Sequence, residues 1–111
     1  MISTDYLNTI VTIKIDRKIG SRHPEHGFVY PLNYGFVPYS QSPGRDALDA
    51  YILGIFQPLT EFTGKCIAVI HSLDNHGDKL VVVPQGKTYS DEQIRALTEF
   101  QERTLRSVIR H

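Results

Sequence analysis

The sequence predicts a mainly β protein of the α+β class, a small barrel carrying one C-terminal helix. Three observations carry this reading. Short segments rich in β-branched residues alternate apolar and polar or run unbroken. Two of them flank the turn-forming stretch "DNHGD". A single strong helix signal appears only near residue 90.

Residues 8–16, "NTIVTIKID", read as the first strand, with Val11, Ile13 and Ile15 on one face and Thr12 and Lys14 on the other. "RKIGSRHPEHG" is a polar loop. "FVYPLNYGFVP" holds too much Pro and Gly for a helix and reads as short extended pieces around a turn at Asn33-Tyr34-Gly35. Further strands are expected at 50–56, 65–73 and 79–84, whose unbroken apolar runs imply burial on both faces. Ser90 with Gln93 forms a capping box, and Asp91 and Glu92 sit where the helix dipole favours acids. Ile94, Leu97, Leu105, Val108 and Ile109 form a stripe at helical spacing, broken by Gln101, so the helix is expected to run past Leu105. No repeat, low-complexity tract or linker divides residues 1–111, which read as one domain.

A chain of 111 residues buries roughly 65% of its unfolded surface. Lys+Arg and Asp+Glu number 12 each, divided five and five over residues 1–55 and seven and seven over 56–111. This balance argues against a nucleic-acid binder that relies on phosphate neutralisation. No apolar run is long enough to span a bilayer, and no signal-peptide pattern opens the sequence, so a cytoplasmic setting is expected. The single cysteine, Cys66 in "KCIAVI", reads as a small buried hydrophobe.

Chemistry gathers at strand ends. "SPGRDALDAYILG" sets Asp46 and Asp49 three apart before an apolar run, and Asp74 and Asp78 bracket the hairpin that precedes Lys79. If the strands are neighbours, the four carboxylates can converge on one rim, and repulsion between them becomes attraction around a hard cation such as Mg²⁺. Arg22, Tyr30, Tyr34 and Lys79 are candidate donors to a phosphate. A D-x-x-D pair in a polar turn is also ordinary solvated surface, and Asp, Asn and Gly build hairpins without any function. His23 and His26, with Pro24 between them and no Cys cluster, read as surface histidines rather than a zinc site.

"YPLNYGFVP", "DALDAYILG" and "DKLVVVP", in that order and at these separations, resemble the family I soluble inorganic pyrophosphatases, most closely their short bacterial members. The resemblance runs from about residue 10 to residue 102. It implies an OB-like five-stranded β-barrel with a C-terminal α-helix and a homo-oligomer in the cytoplasm. The implied reaction is Mg²⁺-dependent hydrolysis of inorganic diphosphate to two orthophosphates, by attack of a metal-activated water. By position, Asp46, Asp49, Asp74 and Asp78 would be metal ligands, Asp46 also assisting the attacking water. Arg22, Tyr30, Tyr34 and Lys79 would bind the substrate. Gly44 stands where the family's signature has its first aspartate, Lys14 where a first-strand glutamate belongs, and Thr104 and Leu105 where a Tyr-Lys pair grips phosphate. These departures keep two alternatives in play: a catalytically impaired relative that binds phosphate or diphosphate, and an OB-like oligonucleotide-binding module using exposed tyrosines.

Overall fold

The structure, a computed structural model, describes residues 2–40 and 47–111. A short 3-10 helix (Ser3–Tyr6) precedes β1 (Ile10–Arg17), β2 (Asn33–Val37), β3 (Leu48–Ile52), β4 (Glu61–Ser72) and β5 (Lys79–Val83). The helix α1 (Asp91–Glu102) and a last strand, β6 (Ser107–Arg110), complete the chain. The sheet runs β1-β2-β3-β5-β4, and β4 pairs back with β1, closing a five-stranded barrel. All of these pairs are antiparallel except β3 with β5.

Closure explains the unbroken apolar runs, because both faces of the strands are covered. The barrel interior holds Val11, Ile13, Ile15, Val37, Leu48, Ala50, Ile52, Cys66, Val69, Leu80 and Val82. A second core forms on the outer wall, where Tyr51, Leu53, Ile70, Val81 and Val83 pack with Tyr30, Tyr34 and Ile94 of α1. Cys66 is fully buried, and desolvation pushes its thiol up to about 11, which leaves it an inert hydrophobe.

Two local expectations are corrected. Asn33, Tyr34 and Gly35 lie within β2, not at a turn. Gly35 is there because β1 passes too close for a side chain: a Cβ would stand 2.0 Å from the Lys14 carbonyl oxygen. Asn33, fully buried, accepts from the backbone N–H groups of Ile19 and Leu59 and donates to the Gln57 carbonyl, pinning two loops. The second correction concerns the C-terminus. Ser90 and Gln93 do form the capping box, but α1 stops at Glu102, and Val108 and Ile109 belong to β6. β6 pairs antiparallel with the second half of β4, setting Ile109 opposite Ile70 and Val108 opposite His71. The far end of β4, whose first half is paired with β1, would otherwise be an open edge.

Candidate active site

One cavity of about 760 Å³ lies on the outer barrel wall beneath the end of α1. Its residues come from five stretches of the chain. β1 gives Asp16 and Arg17, the β1–β2 loop gives His23, His26, Phe28 and Tyr30, and β2 and β3 give Tyr34 and Asp49. His76, Lys79, Phe100, Gln101 and the segment Arg103 to Leu105 complete the wall.

Strand register accounts for the central group. Asp49 is the lateral partner of Lys79 in the parallel β3–β5 pair, so both side chains project from the same face. The Tyr34 hydroxyl donates to Asp49 Oδ2 at 2.8 Å. Asp16 and Arg17 are adjacent in β1, and a regular strand would send them to opposite faces. The β1–β2 register shifts between Ile15 and Arg17, and this bulge lets both line the cavity. The Asp16 carboxyl is raised above the ordinary carboxylate value by partial desolvation against the wall, opposed by the Arg17 guanidinium and reinforced by the negative charge of Asp49. Asp16 and Asp49 therefore share one electrostatic neighbourhood.

A buried polar chain forms the back of the cavity. Tyr30 donates to Gln101 Oε1 at 3.0 Å, and Gln101 Nε2 donates to the Tyr51 hydroxyl at 2.8 Å. Tyr51 donates to Glu102 Oε2 at 2.5 Å, and the same oxygen meets Lys79 Nζ at 2.9 Å. Both members of that ion pair are about 5% exposed. Burial first, then the adjacent Glu102 charge, drives the Tyr51 phenol well above its ordinary value, so it stays a neutral donor. Burial likewise raises Tyr30, against the opposing pull of Arg17.

The structure brings Tyr30, Tyr34, Asp49 and Lys79 together and places the other candidates as follows. Asp46 and Gly44 lie outside the described residues. Asp78 immediately precedes Lys79 and does not line the cavity; it accepts from Ser3 Oγ at 2.5 Å and from the Ser72 backbone, and meets His71 Nδ1 at 3.0 Å. Asp74, also outside the lining, accepts from the Arg106 backbone N–H, with the Arg106 guanidinium at 4.0 Å. Arg22 is exposed and donates to the Gly27 carbonyl at 2.7 Å. Lys14 is exposed and does not line the cavity, whereas Thr104 and Leu105 do.

Sequence reasoning missed Asp16, Arg17, Gln101 and Glu102; His26 is at the surface as expected, and it lines the cavity together with the half-buried His23. Period-two alternation from Thr12 and Lys14 points to Asp16, but nothing in the pattern announces the bulge that adds Arg17. Tyr30 and Tyr34, only 2% and 8% exposed, are unsuited to serve as open stacking platforms for an oligonucleotide.

No group of three or more His, Cys, Asp or Glu among the described residues is arranged to hold a metal ion. Mg²⁺ does not require such a cage: it takes one or two carboxylates and fills its remaining positions with water and substrate oxygens. The mutually repelling Asp16 and Asp49, open to a cavity that also holds Arg17 and Lys79, fit that limited demand. No helix among the described residues is long and apolar enough to cross a membrane.

Residues 9–111 match the family model described as inorganic pyrophosphatase. An inorganic pyrophosphatase of Saccharolobus solfataricus is 35% identical over 80 residues, covering 68% of this chain and 44% of that protein. One of Sulfolobus acidocaldarius is 26% identical over 113 aligned positions, covering 97% of this chain and 62% of the relative. The chain thus spans about half the length of these curated relatives. The crystal structure of inorganic pyrophosphatase from Ehrlichia chaffeensis superposes with a TM-score of 0.70 at 16% identity, covering 96% of this chain and 88% of that one. That of a Neisseria gonorrhoeae inorganic pyrophosphatase gives 0.60 at 23% identity, covering 88% and 73%. These structural likenesses speak for the shared barrel, and the family match over nearly the whole sequence speaks for descent. The chain belongs to the inorganic pyrophosphatase family.

Proposed function

We propose that this chain hydrolyses inorganic diphosphate to two orthophosphates with the help of Mg²⁺. The observation that carries the reading is one cavity in which Asp16 and Asp49 stand with Arg17 and Lys79, two acids for a cation and two cations for an anion. Asp49 and Asp16, with Asp46 added by the family resemblance, would hold magnesium, which when bound neutralises phosphate oxygens and acidifies water. Tyr34 fixes the Asp49 carboxylate by its hydrogen bond. Arg17 presents a planar fork suited to two phosphate oxygens, and Lys79 a point charge held by Glu102. Tyr30, anchored by Gln101, closes the wall and excludes water from that side. Asp74, Asp78 and Arg22, engaged elsewhere, would join the site only by exchanging their present partners.

Purified protein should release orthophosphate from diphosphate with Mg²⁺, and Asp49→Asn should reduce the rate by at least a hundredfold. No release above the buffer blank with Mg²⁺ or Mn²⁺ would refute the reading. A second reading, a relative that binds diphosphate without turnover, is favoured by one observation: Glu102 already neutralises Lys79. It predicts calorimetric binding of diphosphate with no release. A cytoplasmic homo-oligomer is proposed on the resemblance, with sedimentation velocity as the check on assembly.

A further inference from the structure

The cavity is far larger than inorganic diphosphate fills; its roughly 760 Å³ falls in the size class of sites for multi-ring organic ligands. Its lining also mixes two chemistries. The charged part of the lining includes Asp16, Arg17, Asp49 and Lys79, and the aromatic part includes a shelf of His23, His26 and Phe28. On the shelf the His26 and Phe28 planes are within 10° of parallel, 6.3 Å apart between ring centroids, and His23, 4.6 Å from His26 and 4.9 Å from Phe28, is tilted 34° and 44° to them. Phe28 is backed edge-on by Phe100 at 5.5 Å. The shelf is built into its loop: His23 Nδ1 accepts the backbone N–H groups of both Glu25 and His26 at 3.0 Å. That contact fixes the His23 ring and leaves its proton on Nε2, a donor for a heteroatom at a ligand's edge. Bare diphosphate makes no use of flat aromatic faces, whereas every nucleobase does.

Resting on the diphosphatase reading of the same site, we infer that the cavity accepts a nucleoside diphosphate. The base stacks on the shelf of His23, His26 and Phe28, and the diphosphate reaches Arg17 and Lys79. The hydrolysis-resistant analogue α,β-methylene-ADP and its base-free counterpart methylenediphosphonate make the comparison, titrated calorimetrically into the full chain with Mg²⁺. The nucleotide analogue should bind about tenfold more tightly. His26→Ala, at an exposed ring, and Phe28→Ala should each bring that ratio toward one. Equal affinities in the unaltered protein, a ratio that neither variant moves, or no binding of either compound would overturn the inference. Diphosphate hydrolysis without nucleotide preference defeats this inference alone. Nucleotide preference without diphosphate hydrolysis defeats the diphosphatase reading and leaves the aromatic site standing.

Discussion

Replacing Glu102 by glutamine tests the polar back wall of the site. The carboxylate is the anionic partner of Lys79 at 2.9 Å, with both side chains about 5% exposed, and it accepts the Tyr51 hydroxyl. Glutamine keeps the shape and an acceptor for Tyr51 but leaves a buried ammonium without its counter-charge. Removing one partner of a buried pair costs roughly 3–5 kcal/mol, and the retained Tyr51 contact places this case at about 3 kcal/mol. For a domain of this size that lowers the melting temperature by on the order of 10 °C. The double variant Lys79→Met with Glu102→Gln removes both charges and should recover most of the loss, since a buried pair as a whole contributes little. Orthophosphate should restabilise the single variant more than the wild type, because it restores a negative charge beside the lysine in place of the lost carboxylate, and binding to the folded state adds stability by mass action. Urea and thermal unfolding at neutral pH, with and without phosphate, provide the assay. A single variant within about 1 kcal/mol of wild type, or a double variant as unstable as the single, would refute the reasoning.

Two further predictions concern the scaffold. Gly35→Ala forces a Cβ to within 2.0 Å of the Lys14 carbonyl oxygen and should cost about 3 kcal/mol, read by urea unfolding; a change below about 0.5 kcal/mol would contradict the close β1–β2 approach. Asp78 is pushed up by burial, but the Ser3 and His71 hydrogen bonds and the Ser72 backbone outweigh this and hold it below the ordinary carboxylate value. Its contribution is therefore present above the ordinary value and lost as pH falls through the depressed one. Asp78→Asn should cost about 1 kcal/mol at neutral pH, discounted for partial exposure, and the difference from wild type should close in acid. A gap that stays constant down to the acid limb of the stability curve would contradict that electrostatic account.

Much of the barrel was legible because periodicity reports burial directly. Val11, Ile13 and Ile15 alternate, the runs in β4 and β5 are covered on both faces, and the Ser90–Gln93 box marks where α1 starts. Where α1 ends was not legible. Val108 and Ile109 satisfy helical spacing as well as a place in a strand, and only the open end of β4 decides between them. Tyr34-Gly35 imitates a turn for a similar reason: the glycine serves a neighbouring strand that local sequence cannot reveal. In the site, Tyr30, Tyr34, Asp49 and Lys79 carried visible signals. Asp16 and Arg17 needed a bulge, and Glu102 carries no signal in the sequence because its lysine partner comes from β5. Asp78 shows the converse limit, since adjacency to Lys79 in sequence put it outside the cavity that Lys79 lines.

The most direct test of the central claim is phosphorus NMR of diphosphate incubated with the protein and Mg²⁺, beside Asp49→Asn under the same conditions. The account predicts steady replacement of the diphosphate resonance by orthophosphate with the wild type and almost none with the variant. Undiminished diphosphate with both proteins, or equal conversion by both, would contradict it.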